Sequence, residues 1–165
     1  MSLALSTGLR QATVGDLPRL IPMMKAFNLL EGIDWDPAGA QPALTRLIED
    51  SSLGTIGLVE HGDRLVGYFV LTWGYDLEWN GRDSFLTEIY LEPATRGQGV
   101  GSRTLALIEN LARDRGAAAV HLMVRPENEA AVKLYASAGY VSPPRTFLTK
   151  RLRAPGVASP RPARR

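Results

Sequence analysis

The sequence predicts one α/β (α+β) domain built on a mixed, mostly antiparallel twisted sheet that is flanked by about four helices. Two observations lead to this prediction. The chain has 165 residues, 45% of them hydrophobic, which suits one well-buried domain and is short for two. Its apolar residues also switch between the period of two typical of strands and the helical period of 3.6, with turn residues between the segments.

The first half of the chain predicts two helices and three hairpin-connected strands. A strand and a helix follow each other in "GLRQATVGDLPRLIPMMKAF", with Asp16 as the helix cap and Pro18 in the first turn. "DWDPAGAQPALTRLIEDS" predicts a second helix, capped near Asp36 with Pro37 after it. "GTIGLVEHGDRLVGYFVLTWGYD" predicts two strands around the tight turn "HGDR", and "SFLTEIYLEP" a third strand after the turn "NGR".

The second half predicts helices alternating with strands. A helix runs from the glycine turn near Gly101 to about Arg115 and ends at Gly116. "AAVHLMV" predicts a strand, "PENEAAVKLYASAG" a short helix closed by Gly139, and "YVSPPRTFLTKRL" a final broken pair of strands. Strands separated by helices favour some parallel pairing within the sheet.

The composition excludes several kinds of chemistry. The chain has no cysteine, so it forms no disulfide, no thiolate metal site and no cysteine acyl-enzyme. No apolar run approaches the roughly 20 residues of a membrane span, and "MSLALSTGLRQAT" does not resemble a secretory signal, so we expect a cytoplasmic protein. His61 and His121 have no carboxylate or second ligand at a metal-like spacing, so we interpret both as structural and expect no metal.

The charge is unevenly distributed along the chain. From Lys150 onward there are six basic residues and no acidic one, whereas residues 1–149 carry 13 basic and 17 acidic side chains. The proline, alanine and arginine of the tail bury little apolar surface. We therefore predict a folded domain over residues 1–153 and a flexible basic tail over residues 154–165. No aromatic residue is interleaved in the tail, so we interpret it as solvated and expect no nucleic-acid partner.

Three glycines follow Arg96 where a strand gives way to a helix, in "RGQGVG". The first amides of a helix lack intrahelical partners, and glycines keep side chains away, so this turn suits a phosphate. A Walker-type loop needs a lysine after its last glycine, and here Ser102 follows Gly101. A dinucleotide fingerprint needs G-x-G-x-x-G in a βαβ unit, whereas these glycines are spaced G-x-G-x-G after hairpin strands. The remaining pattern is R-x-x-G-x-G.

This pattern resembles the coenzyme A loop of the GNAT superfamily of N-acetyltransferases. "NEAAVKLYASAGYV" resembles the family's N-x-x-A-x-x-L-Y-x-x-x-G-F/Y segment, and the order of elements over residues 8–152 matches that fold. The hairpin "WGYDLEWNGRDSFLTEIYLEP" is nearest to the diamine acetyltransferase-like branch. The resemblance implies an enzyme with acetyl-CoA as co-substrate and no metal, in which a primary amine attacks the thioester directly in a ternary complex.

The resemblance also assigns the cofactor contacts. Main-chain amides from about Gln98 to Gly101, the helix dipole and Arg96 would hold the pyrophosphate of coenzyme A. The strand "TEIYLEP" would lie against the pantetheine arm, and an unpaired amide near Tyr90 or Leu91 would polarise the thioester carbonyl. The predicted cofactor contacts are Ile89, Tyr90, Leu91, Arg96, Gly97, Gln98, Gly99, Val100, Gly101, Ser102 and Asn128.

Two residues receive catalytic roles by the same resemblance. Tyr135 matches the family tyrosine that donates a proton to the leaving thiolate, with a core tyrosine as the alternative. The related branch has Glu-Asp in this strand, where this chain has Thr87 and Glu88. Glu88 is therefore the candidate base, acting through water, with a surface carboxylate as the alternative. Strand alternation places Glu88 beside Leu86 and Tyr90 on one face, unless the bulge common in this strand of the family shifts the phase.

Acids and aromatic residues gather in two loops that flank the acceptor site in this family. The predicted acceptor contacts are Glu31, Trp35, Trp73, Tyr75 and Glu88. Such a set favours a small cationic amine through Coulomb attraction and cation–π contact, although loop acids are often only solvated and Trp73 is also a candidate for the core. We expect a homodimer by analogy with relatives whose final strands pair between subunits. The alternative functions are a non-catalytic acyl-CoA-binding regulatory module and an acetyltransferase acting on a protein amine.

Overall fold

The computed structural model describes residues 6–150 and residue 152. These residues form five strands and four α-helices. The strands are β1 (Thr7–Gln11), β2 (Gly54–His61), β3 (Arg64–Asp76), β4 (Gly81–Leu91) and β5 (Val120–Leu122), and the helices are α1 (Leu17–Leu30), α2 (Pro37–Glu49), α3 (Val100–Asp114) and α4 (Glu129–Ser137). The predicted basic tail, residues 154–165, lies outside the described residues, so its separation from the domain stays a prediction.

The strands form a single sheet in the order β1-β2-β3-β4-β5. The first four strands are antiparallel to their neighbours, because tight turns connect β2 to β3 and β3 to β4. α3 connects β4 to β5, and these two strands are parallel. The predicted mixed, mostly antiparallel sheet with four helices is confirmed.

The helices cover both faces of the sheet, because side chains of successive strand residues point to opposite faces. On the α1/α2 face, Leu20 and Met24 of α1 pack against Leu58 and Tyr68 of the sheet. On the α3/α4 face, α3 and α4 pack against the neighbouring strand positions; this core contains Val59, Val66, Phe69, Leu71, Leu86, Val100, Leu105, Ile108 and Tyr135. Each fully buried aliphatic side chain stabilises the fold by about 1.5–3 kcal/mol.

The helix caps follow the sequence in one case and depart from it in another. Asp36 caps α2, where its carboxylate accepts hydrogen bonds from the Ala38 and Gly39 amides at 3.1 and 3.0 Å. Asp16 occupies the predicted N-cap position of α1, but its side chain does not cap the helix. The Asp16 carboxylate accepts instead from the amide of Thr13, 2.9 Å away, and from the Arg10 guanidinium.

The predicted final pair of strands is wrong for residues 140–150, which form no strand. Pro143 and Pro144 lack the amide hydrogens that a central strand donates. Phe147 and Leu148 are exposed, so the segment has no packed face to hold it against the sheet. Within the described ranges, the longest apolar helical stretches are too short to cross a membrane.

Candidate active site

The glycine turn connects the end of β4 to α3. Gly97 and Gly99 have φ angles of 74° and 71°, in the left-handed region that favours glycine. The first hydrogen bond into α3 runs from the Arg103 amide to the Gly99 carbonyl, at 3.2 Å. Among the described residues, the amides at positions 100–102 therefore have no carbonyl acceptor. These free donors at the positive end of the helix dipole suit an anion.

The side chains around this turn differ in what they offer a ligand. Arg96 and Ser102 are exposed, whereas the Val100 side chain is fully buried, so Val100 offers its main chain alone. Asn128 begins α4, where its Oδ1 accepts a hydrogen bond of 3.2 Å from the Ala131 amide. The structure thus gathers residues 96–102 in one turn and uses the Asn128 oxygen as a helix cap.

A gap opens between β4 and β5 beside this turn. Ser84–Leu86 pair with Val120–Leu122, after which β5 ends while β4 continues to Leu91. The main chain of β4 beyond its paired part consequently borders the gap on one side. The backbone between β5 and α4 borders it on the other.

The direction of the amides at this gap follows from one hydrogen bond at the end of β4. The amide of Glu92, the residue after β4, donates to the carbonyl of Val66 in β3 at 2.8 Å. Because main-chain N–H groups alternate in direction along a strand, the Tyr90 amide also points toward β3. The amides of Ile89 and Leu91 point into the gap. Of the two positions predicted for an unpaired amide, the geometry favours Leu91, and it adds Ile89.

A β-bulge at Thr87 decides which face Glu88 occupies. Val70 of β3 pairs with Glu88 and the next residue of β3 pairs with Leu86, so Thr87 has no partner in the ladder. The Thr87 hydroxyl donates to the Val70 carbonyl at 3.3 Å. Glu88 consequently shares the α1/α2 face with Tyr90, while Leu86 lies on the α3/α4 face. The expectation from simple alternation that Glu88 lies beside Leu86 is wrong, and the bulge is the reason.

Glu88 lies half-buried beside a phenol. Its Oε2 accepts a hydrogen bond of 2.6 Å from the hydroxyl of Tyr68, which is fully buried. Burial raises the pKa of the Glu88 carboxyl, and the hydrogen bond from Tyr68 partly opposes this rise. Burial and the neighbouring Glu88 charge raise the pKa of Tyr68, so the phenol keeps its proton. A carboxyl with a raised pKa is suited to act as a general base near neutral pH.

Tyr135 lies on α4, on the opposite face of the sheet from Glu88. It is 8% exposed and belongs to the core of the α3/α4 face. Burial raises the pKa of the Tyr135 phenol, and the negative charge of Glu31 raises it further. Glu31 follows α1, and its carbonyl accepts a hydrogen bond from Arg125, after β5, at 3.2 Å. The end of α1 and the segment after β5 therefore meet near Tyr135.

The predicted acceptor contacts fall into two groups. Trp35 packs against the core of the α1/α2 face that contains Tyr68 and Tyr90, and Glu31 is close enough to Tyr135 to affect its pKa. Tyr75 stands apart from them, 77% exposed near the end of β3. The structure thus brings Glu31 and Trp35 toward the catalytic candidates, but not Tyr75.

Trp73 is also separated from the other acceptor candidates. It packs against the core of the α3/α4 face, the face opposite Glu88. Its indole N–H donates to the Ser51 carbonyl at 3.0 Å, and the Arg82 guanidinium lies 5.7 Å from the ring centroid. The ring is therefore occupied by contacts within the protein, which supports the core alternative.

A carboxylate–imidazole pair was missed at the sequence level. His121 Nε2 lies 3.3 Å from Asp83 Oδ2, and the His121 ring lies 5.8 Å from Trp79 and 6.4 Å from Phe85 between ring centroids. The pair lies on the α1/α2 face, at the end of the gap where β4 and β5 are still joined. Its two members come from different strands, so no sequence spacing indicated it.

Tyr68 was also missed, because no local signal in the sequence distinguishes it. Its position in β3 reads as one of several apolar residues in a buried run. Two pieces of information would have been needed: the position of the bulge at Thr87 and the register of the β3–β4 hairpin. Together they pair Glu88 with Val70, which places Tyr68, two residues from Val70, on the same face as Glu88. Neither piece follows from residue types alone.

Several known proteins are similar to this chain. Thialysine N-epsilon-acetyltransferase of Bos taurus is 36% identical over 78 residues, 47% of this chain and 45% of the relative. The enzyme of the same name from Mus musculus is 29% identical over 134 residues, 76% of this chain and 77% of the relative. The chain thus matches about half the length of the first of these relatives and three quarters of the second.

Solved structures share the fold over most of the chain. An integron cassette protein from the mobile metagenome of Cole Harbour Salt Marsh has a TM-score of 0.77 at 29% identity, covering 89% of this chain and 91% of that one. An aminoglycoside N-acetyltransferase in complex with CoA has a TM-score of 0.74 at 15% identity, covering 92% and 98%; at this identity the likeness is one of fold. The model of the Acetyltransferase (GNAT) family matches residues 22–140. The chain belongs to the GNAT acetyltransferase family.

Proposed function

We propose that the protein transfers an acetyl group from acetyl-CoA to the primary amine of a small cationic acceptor. The observation that carries this proposal is the convergence on one gap between β4 and β5. The free amides of the glycine turn and the amides of Ile89 and Leu91 lie along the β4 edge of this gap. Tyr135 packs in the core that contains the Ile89 and Leu91 side chains, and Glu88 lies on the other face of the sheet, beside Tyr68. The relatives named thialysine N-epsilon-acetyltransferase support an amine acceptor.

The glycine turn fits the diphosphate of coenzyme A. The amides at positions 100–102 are free donors, and Gly97 has open space where a Cβ would stand. Arg96 is exposed next to the turn and adds a positive charge. Bound acetyl-CoA would supply an acetyl thioester as the electrophile. The Ile89 and Leu91 amides would then donate hydrogen bonds to its carbonyl oxygen and stabilise negative charge there.

Glu88 takes the role of proton acceptor in this proposal. An ammonium acceptor, with an amine pKa near 10, must lose a proton before its nitrogen becomes a nucleophile. The Glu88 carboxylate receives this proton through a water molecule. Because the pKa of Glu88 is raised, the difference in pKa between the ammonium donor and this carboxylate is smaller. Tyr68 holds the carboxylate in place by its hydrogen bond of 2.6 Å.

Tyr135 donates a proton to the departing sulfur. The raised pKa keeps its phenol protonated, so the proton is available when charge develops on sulfur. The second proton leaving the acceptor nitrogen restores the phenol, so that each turnover releases one proton, from Glu88, to the solvent. This direct transfer in a ternary complex needs no nucleophile on the protein, and the chain has no cysteine to offer one.

The acceptor class follows from the charges near the gap. Glu31 adds a negative charge close to Tyr135, and Trp35 contributes an aromatic surface on the side of Glu88. A carboxylate and an indole attract a cation by Coulomb and cation–π interactions. We expect amino acids with a side-chain amine and short diamines to be better acceptors than neutral amines. A homodimer and a cytoplasmic location remain predictions.

Thiol release from acetyl-CoA tests the proposal with a panel of thialysine, lysine, short diamines, an aminoglycoside and a peptide N-terminus. Turnover is expected with at least one cationic small amine. A preference for the peptide would favour the protein-amine alternative. Tight binding of coenzyme A without turnover on any amine would instead favour the regulatory module, for which the presence of Thr87 in place of an acid is the supporting observation.

A further inference from the structure

Arg103 reaches back from the first turn of α3 to the glycine turn. Its Nη2 donates a hydrogen bond of 2.7 Å to the Gln98 carbonyl, and its Nε donates at 3.2 Å to the hydroxyl of Thr7 on β1. The Thr7 oxygen in turn lies 3.1 Å from Nδ1 of His61 on β2. One guanidinium thus connects the glycine turn to the opposite edge of the sheet.

We propose that Arg103 is a positioning residue for coenzyme A, which fixes the peptide between Gln98 and Gly99 with its N–H toward the diphosphate. This inference rests on the proposed function, because it concerns the same glycine turn. In a planar trans peptide the carbonyl and the N–H point in opposite directions. Holding the Gln98 carbonyl against Arg103 therefore directs the Gly99 N–H to the other side.

Such a restraint is needed because the turn is rich in glycine. Gly97 and Gly99 both adopt positive φ angles, which glycine enters and leaves with little energy difference. The peptide between Gln98 and Gly99 can consequently rotate and present its carbonyl oxygen in place of its N–H. A carbonyl dipole facing a diphosphate repels it, whereas an N–H binds it. The hydrogen bond from a guanidinium selects the second orientation.

The geometry separates the role of Arg103 from that of Arg96. Two donor atoms of Arg103 already bind Gln98 and Thr7. Its Nη1 lies 3.0 Å from the position that a Cβ of Gly99 would take, so the guanidinium is packed along the turn. Arg96 is exposed, and no side-chain hydrogen bond to it is found within residues 6–150. Arg96 is therefore free to attract the ligand by its charge, whereas Arg103 holds the conformation of the turn by its hydrogen bonds.

Binding of CoA and of 3′-dephospho-CoA, measured by calorimetry, tests the inference. Arg103→Met should raise both dissociation constants about tenfold, the loss expected for one hydrogen bond to a charged group, with kcat at saturating acetyl-CoA within about twofold of wild type. Arg103→Lys should restore part of the affinity. Thr7→Val should weaken both ligands about threefold and add nothing in the Arg103→Met background. Arg113→Met, on an exposed arginine at the other end of α3, is the control and should leave both constants unchanged.

Other results would overturn the inference. A loss confined to CoA would make Arg103 a ligand of the 3′-phosphate, and unchanged constants in Arg103→Met would show that the turn needs no restraint. NMR relaxation of the Gly99 amide in ligand-free protein adds a readout that does not depend on the proposed function. Its order parameter should fall from about 0.85 toward 0.6 in Arg103→Met. If wild type binds no CoA, the proposed function fails, while an unchanged order parameter removes the role of Arg103 itself.

Discussion

Replacing Tyr68 with phenylalanine tests the environment of the proposed base. The ring stays in its fully buried position, and only the hydroxyl that donates to Glu88 at 2.6 Å is lost. A hydrogen bond to a charged group is worth about 1.5–3 kcal/mol. Unfolding free energy near neutral pH should fall by this amount, which corresponds to roughly 3–12 °C in melting temperature for a chain of this length.

The variant should also change the pH dependence of activity. The hydrogen bond from Tyr68 lowers the pKa of Glu88 against the effect of burial, so its removal raises that pKa further. The acidic limb of the kcat/KM profile should therefore move to higher pH. The same rise makes the stability loss grow with pH, because ionising Glu88 disfavours the folded state more in the variant than in wild type.

Urea unfolding at several pH values and steady-state kinetics measure both effects. Tyr140→Phe is the matched control, since this phenol packs against the core of the α3/α4 face, opposite Glu88, and its loss should leave the acidic limb in place. A double-mutant cycle with Glu88→Gln should show coupling between the two positions. An acidic limb that does not move in Tyr68→Phe, although the variant folds, would refute Glu88 as the base.

Three further changes test the remaining parts of the site. Tyr135→Phe should lower kcat by about 10²- to 10⁴-fold while calorimetry shows CoA affinity within about twofold; an equal loss of affinity would point to a structural role. Glu88→Gln should lower kcat/KM. It should also raise the unfolding free energy at neutral pH, because folding raises the pKa of the Glu88 carboxyl and the ionised carboxylate therefore destabilises the wild-type fold. Below about pH 4 the wild-type carboxyl is neutral too, so the urea unfolding curves of the two proteins should converge there. Gly99→Ala should weaken CoA binding about tenfold in a titration, because a φ of 71° disfavours an L residue by about 1–2 kcal/mol and the turn would change its conformation. The control is Gly116→Ala, at φ 79° outside the turn, which should destabilise the fold by a similar amount without changing the affinity for CoA.

The order of helices and strands was predictable because it depends on local signals. Alternating apolar residues, the tight turns of the hairpins and the stop at Gly116 all act within a few residues of the element they determine. The failures came where local signals conflict with packing. The segment after Tyr140 alternates well enough to predict strands, but Pro143 and Pro144 remove hydrogen-bond donors, and Phe147 stays exposed.

The candidate site likewise has one part that local sequence signals predict and one part that depends on tertiary packing. The glycine turn is contiguous, so its positive φ angles and free amides could be anticipated from residues 96–102. The contacts that orient its groups join distant segments: Tyr68 with Glu88, and Arg103 with Thr7. Such pairs depend on strand register and on the crossing of α3 over β1, and neither is encoded in the spacing of residue types.

One extra residue in β4 gives the site its two-sided arrangement. Without the bulge at Thr87, Glu88 would keep the phase of Leu86 and point into the core of the α3/α4 face, and its amide would face the gap. With the bulge, the charged side chain lies on the α1/α2 face, and the amides at the gap belong to Ile89 and Leu91, whose apolar side chains pack against the core of the α3/α4 face. In the mechanism that we propose, the proton is therefore accepted on the α1/α2 face, and the thioester carbonyl is polarised at the edge of β4 that borders the gap.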